Sequence, residues 1–331
     1  MDNLVSIIIP CYNGEKFIDT SIESVFIQDY SPIELIVVDD ESTDGSAGRI
    51  LAWQSKFAEK GSNLKYVYQK NRGLGGAIDT GLKHVTGRYL TLLDADDVYL
   101  PGAIRKKAEF LDAHPDYAGV RNNGWMVKGD NKRLFITEDT EKRITDLFGA
   151  ICDDKTNNWA GTYMVRTEIL FWRYPKRNIA ASRFGQNFQI LLPVAYGQKF
   201  GYIDEPLMEY RLQPESHSQS SDPLAQYQKS LVNIKGWHDI FCDVLQWLVT
   251  NDEERKGYLS RYEAAALRDV MYQAASVGLT EDVKKHFTQL RQKGHVTLDD
   301  YIFFARFAAP LFVLPLRVVR KIKSLCSKVE Q

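Results

Sequence analysis

The chain has 331 residues and a formal net charge of -1, from 42 Lys+Arg against 43 Asp+Glu, with 44% hydrophobic and 12% aromatic residues. This excludes fibrous repeats, wholesale disorder and a globally basic nucleic-acid binder, and the length accommodates one large domain with a smaller companion. Four scattered cysteines (Cys11, Cys152, Cys242, Cys326) with no CxxC pair offer neither a zinc ribbon nor a disulfide framework.

Val5-Ser6-Ile7-Ile8-Ile9 reads as a β-branched strand stopped by Pro10. No basic n-region or cleavage site precedes it, so a cytoplasmic location is the expectation. Phe17, Ile18, Ser21, Ile22, Val25 and Phe26 recur at helical spacing, with Asn13 as the expected N-cap. A second strand, Ile33 to Val38, ends in Asp39-Asp40, and a helix is expected from Ser42 to about Ala58. A strand from Leu64 to Tyr68, a helix from Leu74 to Val85 and a strand from Tyr89 to Leu93 follow. The middle of the chain is mixed, with expected strands at 120–127, 160–165 and 202–212 and a helix at 187–196. From about Leu224 the pattern is helical. A boundary falls at 222/223, dividing a domain at 1–222 from a helical region at 223–331.

Strands apolar on both faces, alternating with helices, predict a largely parallel sheet covered on both sides. Ligands of such sheets bind at the carboxyl ends of the strands. Two of those ends are acidic, Asp39-Asp40 and Asp94-Ala95-Asp96-Asp97. In an extended chain Asp94 and Asp96 face the same way, about 6.5–7 Å apart. Carboxylates so placed suit a hard divalent cation, Mg²⁺ or Mn²⁺, that shares oxygens with a diphosphate. The reaction this suits has a diphosphate leaving group.

These segments carry a resemblance. Val5 to Asn13, Glu34 to Asp44, Asn71-Arg72-Gly73, Leu93 to Asp97 and Ile203 to Leu207 with Tyr210-Arg211 are similar to the ordered motifs of family 2 glycosyltransferases, an inverting group with a GT-A fold. The similarity spans roughly residues 3–215. It implies a mixed, mostly parallel sheet flanked by helices and a nucleotide-sugar donor, most often a UDP-sugar. Pro10, Tyr12, Asn13 and Glu15 would line the nucleobase and ribose pocket, and Asp40 would contact the base. Asn71, Asp94 and Ala95 would complete the donor-nucleotide site. Asp94 and Asp96 would hold the metal, helped by His217.

The resemblance also has gaps. Where the family opens a helix with Glu-Asp and uses the Asp as general base, this chain has Gln186-Asn187. An amide cannot accept the proton. Asp153, Asp154, Glu205 and His217 are the alternative bases, and none is singled out. Gln186 and Asn187 remain acceptor-binding candidates, together with Trp159, whose ring can stack on a sugar or pack in the core. Ile78-Asp79 stands where Arg-Asn is common. Gly73, Gly75 and Gly76 match neither the dinucleotide nor the P-loop pattern.

Residues 306–331 hold six Lys/Arg against one Glu, so the +5 of this tail leaves -6 on the preceding body. Leu311, Leu314, Val318, Ile322 and Leu325 form one helical stripe, so 310–328 is expected to lie on the inner leaflet of an anionic membrane or to pack on the body. The expected activity is sugar transfer to a glycan or polyprenyl-linked acceptor in polysaccharide biosynthesis, without nucleic acid as a partner. A non-catalytic nucleotide-sugar or glycan binding module is the alternative.

Overall fold

A computed structural model describes residues 3–156, 158–212, 220 and 222–308; His217 and the basic stretch 310–328 lie outside the described residues. The first part alternates as expected: β1 (Val5–Cys11), α1 (Ile18–Phe26), β2 (Ile33–Asp40), α2 (Ser46–Leu51), α3 (Gln54–Glu59), β3 (Asn63–Gln69), α4 (Gly73–Leu82) and β4 (Tyr89–Leu92). Then come β5 (Val98–Tyr99), α5 (Ala103–Ala113), β6 (Tyr117–Lys128), β7 (Asn131–Leu134), α6 (Asp139–Lys142), α7 (Leu147–Cys152), β8 (Tyr163–Arg166), α8 (Thr167–Arg173), α9 (Gln186–Ala195) and β9 (Lys199–Arg211). Helices α10 (Pro223–Leu248), α11 (Asp252–Ser276), α12 (Thr280–Gln292) and α13 (Leu298–Ala308) complete the chain.

The strands form one sheet in the order β3-β2-β1-β4-β8-β6-β9-β5, with β7 beside β6. Strands β3, β2, β1 and β4 are mutually parallel, and β8 enters antiparallel between β4 and β6. The sheet is therefore mixed and mostly parallel, as expected. Every residue of β1 and β2 is buried, which explains their largely apolar runs. Alternation sends Ile8, Ile36 and Val38 to the core shared with α4 and α9, and Ile7, Ile9, Leu35 and Val37 to the core shared with α1, α3 and α5. Each such side chain contributes about 1.5–3 kcal/mol on burial.

Two local expectations fail for one reason. Asn13 does not cap α1; it sits in the left-handed region at φ 52, and its Oδ1 accepts the Thr43 N–H at 2.8 Å. Ser42 Oγ accepts the Asn13 N–H at 3.0 Å, and Asp44 Oδ2 accepts the Glu15 N–H at 3.0 Å. These polar side chains tie the β1 and β2 loops together, so the next helix starts only at Ser46. The single helix expected to Ala58 breaks between α2 and α3, where Trp53 Nε1 donates to Asp19 at 2.8 Å.

Contacts divide the chain into two units, Met1–Ser220 with Val232–Tyr262, and Ser221–Leu231 with Glu263–Gln331. Val232–Tyr262, on the helical side of the expected 222/223 boundary, groups with the sheet because Phe241, Val244, Leu245 and Tyr262 enter its core. In the second unit Arg268 holds the fully buried Asp300 by two hydrogen bonds of 2.8 and 2.9 Å, and Phe287 stacks on Phe304 at 4.0 Å. Among the described residues no helix is long and apolar enough to cross a membrane.

Candidate active site

The carboxyl ends of β1, β2 and β4 come together, because β1 pairs with both neighbours in parallel register. Just past β4 the chain turns tightly, with the Asp97 N–H donating to the Asp94 carbonyl at 3.1 Å. Ser21 Oγ of α1 donates to the same carbonyl at 3.3 Å. The turn gathers Asp94, Asp96 and Asp97. Burial, then the neighbouring Asp96 charge, raises Asp94 to about 7. Burial raises Asp96 as well, and burial with the Asp94 and Asp96 charges pushes Asp97 well above the usual carboxylate range. Asp97 Oδ1 accepts the Arg211 N–H at 2.9 Å, whereas its Oδ2 is buried without a partner. Three mutually repelling carboxylates and an orphaned oxygen leave this turn short of positive charge. Among the described residues no three or more His, Cys, Asp or Glu side chains are grouped so as to hold a metal ion.

The nucleotide-side candidates occupy the loops after β1, β2 and β3. Pro10 is buried at the end of β1, Tyr12 is 53% exposed, and Ala95 lies half-buried in the acidic turn. Glu15 accepts the Gly45 N–H at 3.1 Å and lies 3.7 Å from Arg49. Asp40 is buried and turned toward α4. Its Oδ1 accepts from Gln69 at 2.6 Å and from the Arg72 N–H at 2.9 Å, and its Oδ2 accepts the Gly73 N–H at 2.9 Å. It thus satisfies backbone donors at the start of α4. Asn71 clasps the same loop, its Nδ2 donating to the Asp40 carbonyl at 3.0 Å.

The glycines of α4 have a packing role. A Cβ on Gly75 would stand 2.6 and 2.7 Å from the Ser182 and Ala180 carbonyl oxygens. Asp79 is a buried staple, paired with Lys83 at 2.9 Å and Arg72 at 3.1 Å, and it accepts the Ile179 N–H at 3.0 Å.

On the acceptor side, α9 begins after Gly185, whose positive φ of 66 suits glycine. Gln186 is its half-buried first residue. Asn187 Oδ1 accepts from the Tyr163 hydroxyl at 2.9 Å, and its Nδ2 donates to the Asn158 carbonyl at 3.0 Å. Trp159 stacks parallel on Tyr210 at 5.4 Å and meets Phe135 edge-on at 4.2 Å, so one indole face is already covered. Two of the remaining base candidates, Asp153 and Glu205, hold cations. Asp153 pairs with Arg261 at 2.5 Å and Lys155 at 2.8 Å; burial pushes its carboxyl up, but these hydrogen bonds outweigh that and leave it lowered. Glu205 pairs with Lys106, and Asp154 is exposed at φ 52.

Two residues that sequence reasoning misses support this side. The Tyr163 hydroxyl orients Asn187. Lys107, fully buried on α5, donates to the Gly161 carbonyl at 3.1 Å and lies 4.4 Å over the Tyr99 ring. Burial lowers its amine to about 7. In sequence Lys107 is one of several cations on an amphipathic helix, and nothing local marks it as inward-facing.

The Glycosyl transferase family 2 profile matches residues 6–170. An uncharacterized glycosyltransferase of Nostoc sp. is 29% identical over 225 residues, 66% of this chain and 67% of its own. The uncharacterized glycosyltransferase EpsJ of Bacillus subtilis is 31% identical over 224 residues, 64% of this chain and 62% of its own. Against several further curated relatives the chain spans about half their length. Among solved structures, the mannosyltransferase PcManGT from Pyrobaculum calidifontis, in complex with GDP-Man and Mn²⁺, matches with a TM-score of 0.58 and 16% identity, over 97% of this chain and 84% of that one. S. aureus TarS 1–349 in complex with UDP-GlcNAc matches with a TM-score of 0.54 and 20% identity, over 92% and 91%. At these identities the structural likeness speaks to fold alone. Ordered motifs, sheet topology and relatives together liken this chain to family 2 glycosyltransferases, and its fold is of the GT-A type.

Proposed function

We propose that the chain transfers a sugar from a nucleotide-diphosphate donor, a UDP-sugar, to an acceptor hydroxyl with inversion, on a glycan or a polyprenyl-linked acceptor in polysaccharide biosynthesis. The observation that carries this reading is the turn of Asp94, Asp96 and Asp97 at the end of β4, with its raised carboxyls and the orphaned Asp97 oxygen. The solved relatives hold UDP-GlcNAc, or GDP-Man with Mn²⁺. In this reading Asp94 and Asp96 hold a divalent cation, Mn²⁺ or Mg²⁺, against the donor diphosphate. When bound, the cation neutralises charge on the leaving group.

The protein groups do the rest. Tyr12, Asn13 and Glu15 border the nucleotide, while Asp40 and Asn71 hold the loop that faces it. The Arg211 N–H holds one oxygen of Asp97. Trp159, on its Tyr210 support, lines the acceptor. His217, outside the described residues, is proposed to reach the cation from the segment after β9. The stretch 310–328 is proposed to hold the enzyme peripherally at the cytoplasmic face of a membrane.

Asn187 favours a second reading, a binding module without turnover, because both polar atoms of its amide are engaged and neither can take a proton. Incubation with UDP-sugars, Mn²⁺ and glycan acceptors separates the two. The first reading expects UDP release that depends on acceptor and disappears in Asp96→Ala. Donor binding with no release by the wild-type chain supports the second.

A further inference from the structure

We propose that the knuckle Phe171–Arg177, at the end of α8, is a peripheral membrane contact for anionic phospholipid. Trp172 is 70% exposed, more than any other large hydrophobic side chain among the described residues. A solvated indole beside a buried Leu170 has no role in the core. The next residues supply positive charge: Arg173, Lys176 and Arg177, with Glu168 the one acid on α8.

The cations are organised around the rings. The Arg173 guanidinium lies 4.3 Å over Trp172, and the Arg177 guanidinium lies 4.0 Å over Phe171. Arg177 is fixed by its bond to the Val85 carbonyl at 2.6 Å. Arg173 Nε is buried without a partner. Arg173, Tyr174, Pro175, Lys176 and Asn178 line a cleft of 340 Å³. Trp247, 42% exposed, packs on Tyr174 at 5.0 Å and widens the aromatic ridge.

A ridge of Trp and Tyr settles at the boundary between headgroups and acyl chains, where the ring is apolar and its N–H or O–H stays wet. Arg and Lys beside it complement anionic headgroup phosphates. The occupant is therefore an anionic bilayer surface, distinct from any contact made by 310–328.

Co-sedimentation of the full-length chain tests this, using vesicles of phosphatidylcholine alone and of phosphatidylcholine with phosphatidylglycerol. Trp172→Ser and Lys176→Glu change exposed side chains outside the acidic turn. The expected result is a wild-type preference for the anionic vesicles and a loss of about tenfold in partition for either variant, at unchanged Tm. Variants that partition like the wild type overturn the proposal, as does wild-type binding that is absent or equal on both vesicles.

Discussion

Asn187 donates from its side-chain amide to the Asn158 carbonyl at 3.0 Å. That carbonyl can only accept, so the amide orientation is set, and Oδ1 is left to the Tyr163 hydroxyl at 2.9 Å. The position is built for an amide. A carboxylate there would satisfy Tyr163 and oppose Asn158. Asn187→Asp is expected to destabilise the fold by about 1–3 kcal/mol. It is also expected not to raise the transfer rate. Denaturant titration and a UDP-release assay check both; a stable variant with faster transfer would show that the site only lacks its base.

The acidic turn predicts a pH dependence. Asp94 rises from 3.8 to about 7 on folding, so between those values the folded state binds more protons than the unfolded state. Its contribution to stability is greatest below 3.8, declines as pH rises toward about 7, and is flat above. In metal-free protein, Asp94→Asn is expected to flatten the fall of Tm across that window. Added Mn²⁺ is expected to raise Tm most above pH 7, where the carboxylates are charged. An identical Tm–pH profile in the variant and the wild type refutes the assignment.

Much of this turn is legible in the sequence, because its residues are adjacent and the strand before it is uninterrupted. The apolar runs of β1 and β2 likewise betray a sheet buried on both faces. The partners of the site residues are less legible. Asp40 meets Gly73 across 33 positions, Asn187 meets Tyr163 across 24, and Lys107 meets Gly161 across 54. Each pairing depends on how strands are ordered in the sheet. Asp40 therefore reads as a ligand contact from sequence, whereas the structure shows it also holding the start of α4. The local errors at Asn13 and Ser42 have the same origin, since their polar groups bind a loop about thirty residues away instead of their own helix.

Asp40→Ala removes the acceptor of two backbone N–H groups and the Gln69 amide. A loss of about 1–3 kcal/mol is expected from these unsatisfied donors. Weaker nucleotide binding should accompany it as the Asn71 loop loosens. Calorimetric unfolding and UDP titration measure the two effects; an unchanged melting profile would contradict the role given to Asp40.

Lys107 is lowered from 10.5 to about 7 by burial, so between those values the unfolded state binds the extra proton and stability rises with pH. Lys107→Met is expected to remove that rise. It also frees the Gly161 carbonyl, on the turn that carries Trp159. The KM for acceptor should therefore increase severalfold while the KM for donor stays constant. Equal changes in both would point to a general structural defect.

In the proposed reaction the Asp94–Asp97 turn binds a donor diphosphate through a divalent cation. Titration calorimetry of UDP into wild-type and Asp96→Ala chains, with Mn²⁺ and with a chelator, tests it most directly. Binding to the wild type with Mn²⁺ is expected, with at least a tenfold loss on chelation or in Asp96→Ala. Undiminished UDP affinity in Asp96→Ala, independent of metal, would contradict it.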